Sequence, residues 1–321
     1  MKKVTVIIPN FNGAELLKEN LPFVVKAVIY SKSKGIDAYI IVVDDFSKDN
    51  SIDVVKRFQR QYDFIKLIIN DKNLGFAKSV HIGIEKANSE SIILLNSDVI
   101  VPENFIYKIL EPFENDKVFA VSPIITDINK GVLSGSYKVP FLKKGELKYC
   151  KWKHLNFKKE KLLKTFFCEG GSVAISREKY FSIEGFDPIY EPFYFEDTDL
   201  CVKAWKRGWI SYFFTEVEVI HNHKSTISKF FSKQYIKRIM RRNRFIFLWS
   251  NLPIKYLFFI HVPFILYRLI FYSIKFDFSY FLGFISALLS IMKIKKKREI
   301  EGCDSFFKII EEINKDFNKI I

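Results

Sequence analysis

The sequence has few of the residues that hold small secreted domains or zinc sites together. Among 321 residues there are four cysteines: Cys150, Cys168, Cys201 and Cys303. No two of them have the spacing of a metal-ligand pair, so neither a zinc site nor a disulfide framework is expected, and a reducing compartment fits best. A secretory leader is not expected either, because the apolar run Val4–Ile8 is short and leads straight into a Pro-Asn turn.

Acidic side chains are almost absent from residues 224–298, which contain 16 basic residues and a single acid, Asp277. This segment therefore carries the net charge of +15. It also contains the apolar runs Leu257–Ile274 and Phe278–Met292, which the basic clusters flank or interrupt. That pattern favours an anionic membrane surface over nucleic acid. Both runs are shorter than the ~20 clean apolar residues of a spanning helix, so we expect helices that lie in or dip into the membrane.

A second interpretation of this tail stays open. Its helices would pack on the rest of the protein or on a second copy of the chain instead of on a membrane. The oligomeric state is not predicted.

Short apolar runs bounded by polar residues indicate buried strands, namely Val4–Ile8, Tyr39–Val43, Ile65–Ile69 and Ile92–Leu95. Helical spacing of apolar residues fills the intervals between them. Three strand–helix units followed by a fourth strand predict an α/β fold with a doubly wound, mostly parallel sheet flanked by helices. Ligands of such sheets bind outside the carboxyl ends of the strands.

Polar clusters follow these strands at that same edge: Pro9-Asn10-Phe11-Asn12-Gly13, Asp44-Asp45, Asn73-Leu74-Gly75 and Asn96-Ser97-Asp98. Asp98 follows the strand predicted to lie at the centre. A carboxylate held there by a rigid strand suits a divalent cation bound to a phosphate, because hard cations prefer oxygen ligands. Taken alone, Asp98 would be an ordinary turn aspartate.

The second half of the chain adds two more polar clusters. Glu169-Gly170-Gly171 precedes a predicted strand, and Glu196-Asp197-Thr198-Asp199 begins a predicted helix. Acids in a first helical turn are favourable for the helix itself, but one of them also suits a general base at the mouth of a site. Residues 143–164 form a basic, irregular stretch that predicts a flap or insertion, and residues 131–139 predict an antiparallel strand pair.

In this order, the motifs resemble those of the family 2 glycosyltransferases with a GT-A fold, in particular the rhamnosyltransferase-like branch. The likeness covers roughly residues 3–250. Besides the clusters above it rests on Val-Val-Asp-Asp-Phe-Ser at 42–47, Phe-Glu-Asp-Thr-Asp-Leu at 195–200, His221 with Thr226, and Arg-Arg-Asn-Arg at 241–244.

The resemblance implies a nucleotide-sugar site and a metal site. The residues that it places on the nucleotide sugar are Pro9, Asn10, Asn12, Asp45, Asn73, Gly75 and Asn96. Asp45 would accept a hydrogen bond from the ring N–H of the base. The family's Asp-x-Asp metal motif reads Asn96-x-Asp98 here, so Asp98 is carried over as a ligand of Mg²⁺ or Mn²⁺. His221 matches a further metal or diphosphate ligand, with a satisfied surface histidine as the alternative.

The resemblance also implies a single displacement with inversion of the anomeric centre. Asp197 matches the catalytic base that takes the proton of the acceptor hydroxyl, and Glu169, Gly170 and Glu196 match the acceptor side. Glu196 and Asp199 are competing candidates for the base. Asp199 is two residues further along the helix and is expected to point away.

The expected function is transfer of a sugar from a UDP- or dTDP-sugar to a hydroxyl of a glycan or lipid-linked acceptor in cell-surface polysaccharide synthesis. The sugar and the acceptor are not predicted, although the branch includes rhamnosyl transfer. Residues 1–225 would form the catalytic domain, with a nucleotide-binding half to about residue 120 and an acceptor half beyond it. Residues 226–321 would form a helical region at the cytoplasmic face of the membrane, peripheral or monotopic.

Two alternatives from other classes remain. A sugar-nucleotide nucleotidyltransferase generally carries a Gly-rich phosphate loop and an activating lysine near its N-terminus, which residues 9–13 lack. A non-catalytic, membrane-associated scaffold that has kept the fold is the other. Metal-dependent hydrolysis of a sugar nucleotide distinguishes an enzyme from a scaffold.

Overall fold

The computed structural model describes residues 2–127, 132–133, 137–150, 160–221, 230–303 and 305–318. The strands are β1 Lys3–Asn10, β2 Asp37–Asp44, β3 Ile65–Ile69, β4 Ser91–Leu95, β5 Val99–Ile100, β6 Val118–Asp127, β7 Val132–Leu133, β8 Pro140–Lys143, β9 Glu146–Tyr149, β10 Leu162–Lys164, β11 Ser172–Ser176 and β12 Ile210–His221. The helices are α1 Ala14–Ser33, α2 Ser51–Gln61, α3 Phe76–Lys86, α4 Phe105–Ile109, α5 Arg177–Ser182, α6 Glu196–Lys206, α7 Lys233–Asn251, α8 Ile254–Ile274, α9 Ser279–Leu288, α10 Ile291–Glu301 and α11 Phe306–Phe317.

The predicted α/β fold is confirmed. The main sheet has the strand order β10-β12-β6-β11-β4-β1-β2-β3, with β5 beside β12 and β7 beside β6. Strands β3, β2, β1 and β4 are parallel, as the three strand–helix units predict. Strand β11 then runs antiparallel between β4 and β6. The start of β11 therefore lies at the edge where β1, β2 and β4 end.

Helices cover both faces of the sheet because β1, β2 and β4 are apolar on both sides. On one face the core includes Leu17 of α1, Val55 of α2 and Phe105 of α4. On the other face it includes Val80 of α3 and Leu200 of α6. The two cores fix the strand ends rigidly, so side chains placed after the strands have defined positions.

The helices of the tail share a core with the sheet domain. Phe247 of α7 and Phe306 of α11 belong to one buried cluster with Leu147 of β9 and Trp205 of α6. Phe166, just after β10, contacts both tail phenylalanines edge to face, with ring centroids 6.3 and 5.9 Å away. The tail therefore packs on the part of the chain that was predicted to form the acceptor half. The domain boundary near residue 225 stays a prediction and lies outside the described residues.

One length estimate from the sequence is wrong. Helix α8 is continuous over 21 residues, and by length and composition it is long and apolar enough to cross a membrane. The apolar run predicted only Leu257–Ile274, but the helix begins at Ile254 and continues through a π-helical turn at Leu257–His261. The sequence did not indicate this start, because the first turn of the helix contains polar side chains.

Other expectations meet the described residues only in part. Helix α7 begins at Lys233, where Ser232 Oγ accepts the N–H of Tyr235 at 3.2 Å. In the predicted pair over 131–139, only β7 is described as a strand, antiparallel to β6. The stretch 143–164 includes β9 and β10, while 151–159 lie outside the described residues.

Candidate active site

The loops after β1 and β2 are tied together by two asparagines. Asn10 Nδ2 donates to the Asp44 carboxylate at 2.9 Å and lies 3.3 Å from Ser47 Oγ. Asn12 uses its side-chain oxygen to accept the N–H of Lys48 at 2.7 Å, and its own N–H donates to Ser47 Oγ at 2.9 Å. Pro9 is partly exposed beside them. Both asparagines thus shape the predicted nucleotide edge through loop–loop hydrogen bonds.

Asp45 is almost fully buried and fixes the loop that enters α3. Its carboxylate accepts three hydrogen bonds at 2.8 Å, from Asn70 Nδ2 and from the backbone N–H groups of Leu74 and Gly75. Gly75 has a φ of +82°, a conformation that favours glycine. Asn73 is exposed, with its Nδ2 3.5 Å from the Asp45 carbonyl. Asp45 therefore holds the loop that the sequence predicted to close over the nucleotide.

Asp98 and His221 come together across the end of the sheet. His221 is the last residue of β12 and pairs with Val99, which places its Nε2 3.0 Å from Asp98 Oδ1. Burial lowers the pKa of His221, but the hydrogen bond to Asp98 and the charges of Asp98 and Glu169 outweigh it, so the pKa lies above its ordinary value. The two side chains are 13% and 16% exposed, which leaves them accessible to a small ligand.

Asn96 connects this pair to the second half of the site. Its backbone N–H donates to the carbonyl of Gly171 at 2.9 Å. A Cβ on Gly171 would lie only 2.9 Å from Asn96 Nδ2, so a larger residue there would push the asparagine away. The loop before β11 therefore lies directly against the end of β4.

Asp197 lies on the other side of that loop. Its Oδ2 accepts the N–H of Gly170 at 3.4 Å, and its Oδ1 accepts the N–H of Thr198 at 2.6 Å. Burial and the nearby charge of Glu169 raise the pKa of Asp197 to about 6.

Glu196, the neighbour of Asp197 at the start of α6, is half-buried. Burial and the charge of Asp197 raise the pKa of Glu196 to about 8. Its Oε2 has no hydrogen-bond partner among the described residues. Glu196 is therefore mostly protonated at neutral pH, whereas Asp197 is mostly ionised.

Asp199 points into the protein, as its offset from Asp197 predicted. It accepts a hydrogen bond from Tyr190 Oη at 2.9 Å and pairs with Lys297 of α10 at 2.9 Å. Lys297 Nζ also lies 2.7 Å from Asp187 and 2.9 Å from Glu301. These three acids converge as metal ligands would, but the lysine ammonium already lies among them. No sequence signal pointed to Lys297, because 98 residues separate it from Asp199.

A sequence profile described as "Glycosyl transferase family 2" matches residues 5–181. Among curated proteins, the chain is 34% identical over 96 residues to the cholesterol galactosyltransferase of Borreliella burgdorferi. It is 29% identical over 119 residues to the dolichol-phosphate mannosyltransferase of Pyrococcus furiosus. These matches cover 30% and 37% of this chain and only 25% and 32% of the two relatives.

A solved structure of GalNAc-T7 with UDP, GalNAc and Mn²⁺ is similar to this chain with a TM-score of 0.70 at 19% sequence identity. The match covers 99% of this chain and 58% of that one. At this identity the likeness concerns the fold, which is the GT-A fold that the motifs implied.

Proposed function

The chain belongs to glycosyl transferase family 2, and we propose that it is an inverting enzyme that transfers a sugar from a nucleotide diphosphate donor to an acceptor hydroxyl. The observation that carries the proposal is the meeting of two pairs at one edge of the sheet. Asp98 lies 3.0 Å from His221, and Asp197 lies 3.4 Å from Gly170. Asn96 and the adjoining Gly171 connect them. The pair Asp98 and His221 suits the diphosphate end of a donor. The pair Asp197 and Gly170 suits the acceptor.

The donor is a UDP- or dTDP-sugar, and the acceptor is a glycan or a lipid-linked glycan of the cell surface. Rhamnosyl transfer is included because the motifs resemble that branch. The nucleotide side consists of Pro9, Asn10, Asn12, Asp45, Asn73, Gly75 and Asn96, and the acceptor side of Glu169, Gly170 and Glu196. A lipid-linked acceptor is supported by the names of two relatives, which include cholesterol and dolichol phosphate.

A divalent cation fits the residues at the end of β4. Asp98 offers a carboxylate and His221 an imidazole nitrogen only 3.0 Å apart, a donor set that suits Mn²⁺ and Mg²⁺. When bound, the cation offsets the negative charge that develops on the departing diphosphate. Asn96, which stands where the family motif has its first aspartate, offers a neutral amide.

Asp197 is the proposed base. With a pKa of about 6, it is ionised at neutral pH yet basic enough to take the proton of an acceptor hydroxyl. The N–H groups of Gly170 and Thr198 orient its two oxygens. Attack on the face opposite the departing diphosphate inverts the anomeric centre.

The test is hydrolysis and transfer across a panel of nucleotide sugars with Mn²⁺ or Mg²⁺. Asp98→Asn abolishes both reactions, and so does excess chelator on the wild-type protein. Asp63→Asn is the matched control, because Asp63 is an exposed aspartate that precedes β3, at the opposite edge of the sheet from the site. Full activity of Asp98→Asn, or of the wild type in chelator, overturns the metal role, and inactivity towards every donor overturns the enzyme.

Helix α8 supports a membrane surface as a further partner. One side of the helix is pinned to the hairpin β8–β9: His261 Nδ1 lies 2.7 Å from the Gly145 carbonyl, and Arg268 pairs with Glu146 at 3.0 Å. The other side exposes large apolar residues, namely Phe258, Phe259, Leu266, Tyr267, Ile270 and Ile274. A spanning helix would take Arg268 and His261 into hydrocarbon and away from these partners. We therefore propose that α8 lies in the membrane plane.

Lys293, Lys295 and Lys296 on α10 are exposed and match an anionic cytoplasmic leaflet. Sedimentation with vesicles that contain phosphatidylglycerol tests this, with Phe259→Ser expected to weaken binding and Phe23→Ser on α1 as the control. An impermeant amine reagent outside sealed vesicles then modifies both Lys255 and Lys275 if α8 lies in plane. Protection of one of these two exposed lysines contradicts that orientation.

A further inference from the structure

Asn243 on α7 is fully buried, and its side chain points out of its own helix towards the acceptor half. Its Nδ2 lies 2.8, 2.9 and 2.8 Å from the carbonyl oxygens of Tyr190, Phe193 and Tyr194. Its Oδ1 accepts a hydrogen bond from Arg242 Nε at 2.8 Å. Every polar atom of this amide is therefore used, and the two hydrogens of its nitrogen are shared among three carbonyls of one turn.

That turn leads directly into the helix that carries Asp197. Tyr194 and Phe195 have φ values of +71° and +77°, a left-handed conformation that is unfavourable for residues other than glycine. Two such residues in succession reverse the chain so that α6 begins at Glu196. Buried carbonyls in such a turn need donors, and Asn243 supplies them. The turn is therefore held from outside, by the tail.

A second side chain of the tail holds the same segment at its two ends. Lys297 of α10 lies 2.7 Å from Asp187 and 2.9 Å from Asp199, which bracket the turn and Asp197. Arg242 adds hydrogen bonds to the carbonyls of Ile189 and Glu191. The segment from 187 to 199 is thus held at its ends by α10 and in its middle by α7.

We propose that Asn243 is a positioning residue for the reaction, which holds the 190–195 turn so that Asp197 faces Gly170 and the acceptor. The proposal rests on the proposed function, because it takes Asp197 as the base. It gives the tail a part in the chemistry, in addition to its contact with the membrane. Asn243 touches neither donor nor acceptor and acts only through the turn.

The same helix offers a matched control. Asn251 is also fully buried, and its Nδ2 donates to the Phe247 carbonyl of its own helix at 2.9 Å. Asn251→Ala therefore removes the same side chain from the same helix without a change at the turn. A merely structural role for Asn243 predicts that the two variants behave alike.

The experiment compares Asn243→Ala and Asn251→Ala with the wild type in kcat, donor affinity by calorimetry with UDP or dTDP, and thermal stability. Asn243→Ala is expected to lower kcat at least tenfold with donor affinity within twofold. Asn251→Ala is expected to keep kcat, whatever its loss of stability. If Asn243→Ala does not fold, Asn243→Ser is used in its place. Serine keeps one hydrogen-bond donor, so a smaller fall in kcat is expected.

A carbon-13 NMR titration of the Asp197 carboxyl reports its position whether or not the protein transfers a sugar. The ionisable groups that face Asp197 are Glu169, Glu196, Tyr149 and Cys168. None of them changes in Asn243→Ala. If the turn opens, Asp197 becomes more solvated and its pKa falls towards the ordinary value, while Asn251→Ala leaves it unchanged.

Suppose that Asn243→Ala changes the pKa of Asp197 although the wild-type protein transfers no sugar. That result supports the positioning of Asp197 by Asn243 and refutes the proposed function. An unchanged titration together with unchanged kcat in Asn243→Ala refutes the positioning and leaves the proposed function standing. If Asn243→Ala loses donor binding and kcat in parallel, the positioning role is also refuted, because Asn243 would then serve the nucleotide side.

Discussion

Asp197→Asn is expected to stabilise the protein while it abolishes transfer. Burial and Glu169 raise the pKa of Asp197 from 3.8 to about 6. The folded protein therefore binds this proton more tightly than the unfolded chain does. The group favours folding at low pH, and this contribution is lost as the pH rises from about 4 to about 6. At pH 7 the ionised carboxylate costs the folded state about 3 kcal/mol, from roughly two pKa units at 1.36 kcal/mol each.

The asparagine has no charge to bury, so the variant should gain about 1–3 kcal/mol in the free energy of unfolding at pH 7. The gain is below the full value because the amide N–H₂ of asparagine must face the N–H of Gly170 or Thr198. Urea unfolding at pH 7 and pH 5 measures it, and the gain should shrink at pH 5, where the wild type is protonated. Transfer should fall by at least ~10²-fold, the lower end for loss of a general base.

In the wild type, kcat/KM should rise tenfold per pH unit below pH 6 and level off above it. Asp63→Asn is the control: this exposed aspartate precedes β3 at the opposite edge of the sheet, so its amide variant should keep both the activity and the acid limb. A variant Asp197→Asn that is less stable at both pH values makes Asp197 a structural residue. Transfer within tenfold of the wild type refutes its role as base.

Four further variants test the surroundings. Glu169→Gln removes the charge that raises the pKa of Asp197, so the acid limb of the pH–rate profile should move to lower pH. Gly75→Ala puts a side chain at φ +82° with no other atom within 4 Å of the added Cβ, so urea unfolding should show a loss of about 1–2 kcal/mol from the backbone alone. Asp45→Asn replaces an acceptor of three N–H groups, so calorimetry should show weaker UDP or dTDP binding together with a lower unfolding midpoint. Lys297→Met leaves Asp187 and Asp199 without their ion-pair partner, although Glu301 keeps Lys206, and thermal unfolding should show a loss of about 3–5 kcal/mol. Each expectation is contradicted if its own measurement does not change: the acid limb for Glu169→Gln, the unfolding midpoint for Gly75→Ala, the nucleotide affinity for Asp45→Asn and the melting temperature for Lys297→Met.

The sheet was predictable because its central strands are locally unambiguous. Val4–Ile8 and Ile92–Leu95 are apolar throughout and end in polar residues, a pattern that few structures other than a strand buried on both faces accept. The edge at which Asp45 and Asp98 lie followed from the rule for parallel strands, whereas the resemblance to the family assigned Asp197 to the site. These predictions used only short-range information and one topological rule.

The hydrogen-bond partners in the site were not predictable in the same way. That Asp45 holds Leu74 and Gly75 depends on how two loops pack, and that Lys297 pairs with Asp199 depends on a contact across 98 residues. The amide of Asn243 stood inside a recognised motif, but its direction depends on the packing of α7. The length of α8 was misjudged because its first turn, with Lys255, does not look apolar.

The contact between Lys297 and the segment around Asp197 also sets an order of events during synthesis. Asp199 leaves the ribosome 98 residues before its lysine partner, which at ~5–20 residues per second is a delay of roughly 5–20 s. Early in that interval β12 completes the sheet, and Asn243 follows shortly before the midpoint, but Asp187 and Asp199 lack Lys297 throughout. The nascent chain can therefore complete its predicted nucleotide-binding half well before the segment around Asp197 is held, because this segment has all its partners only once α7 and α10 have been made.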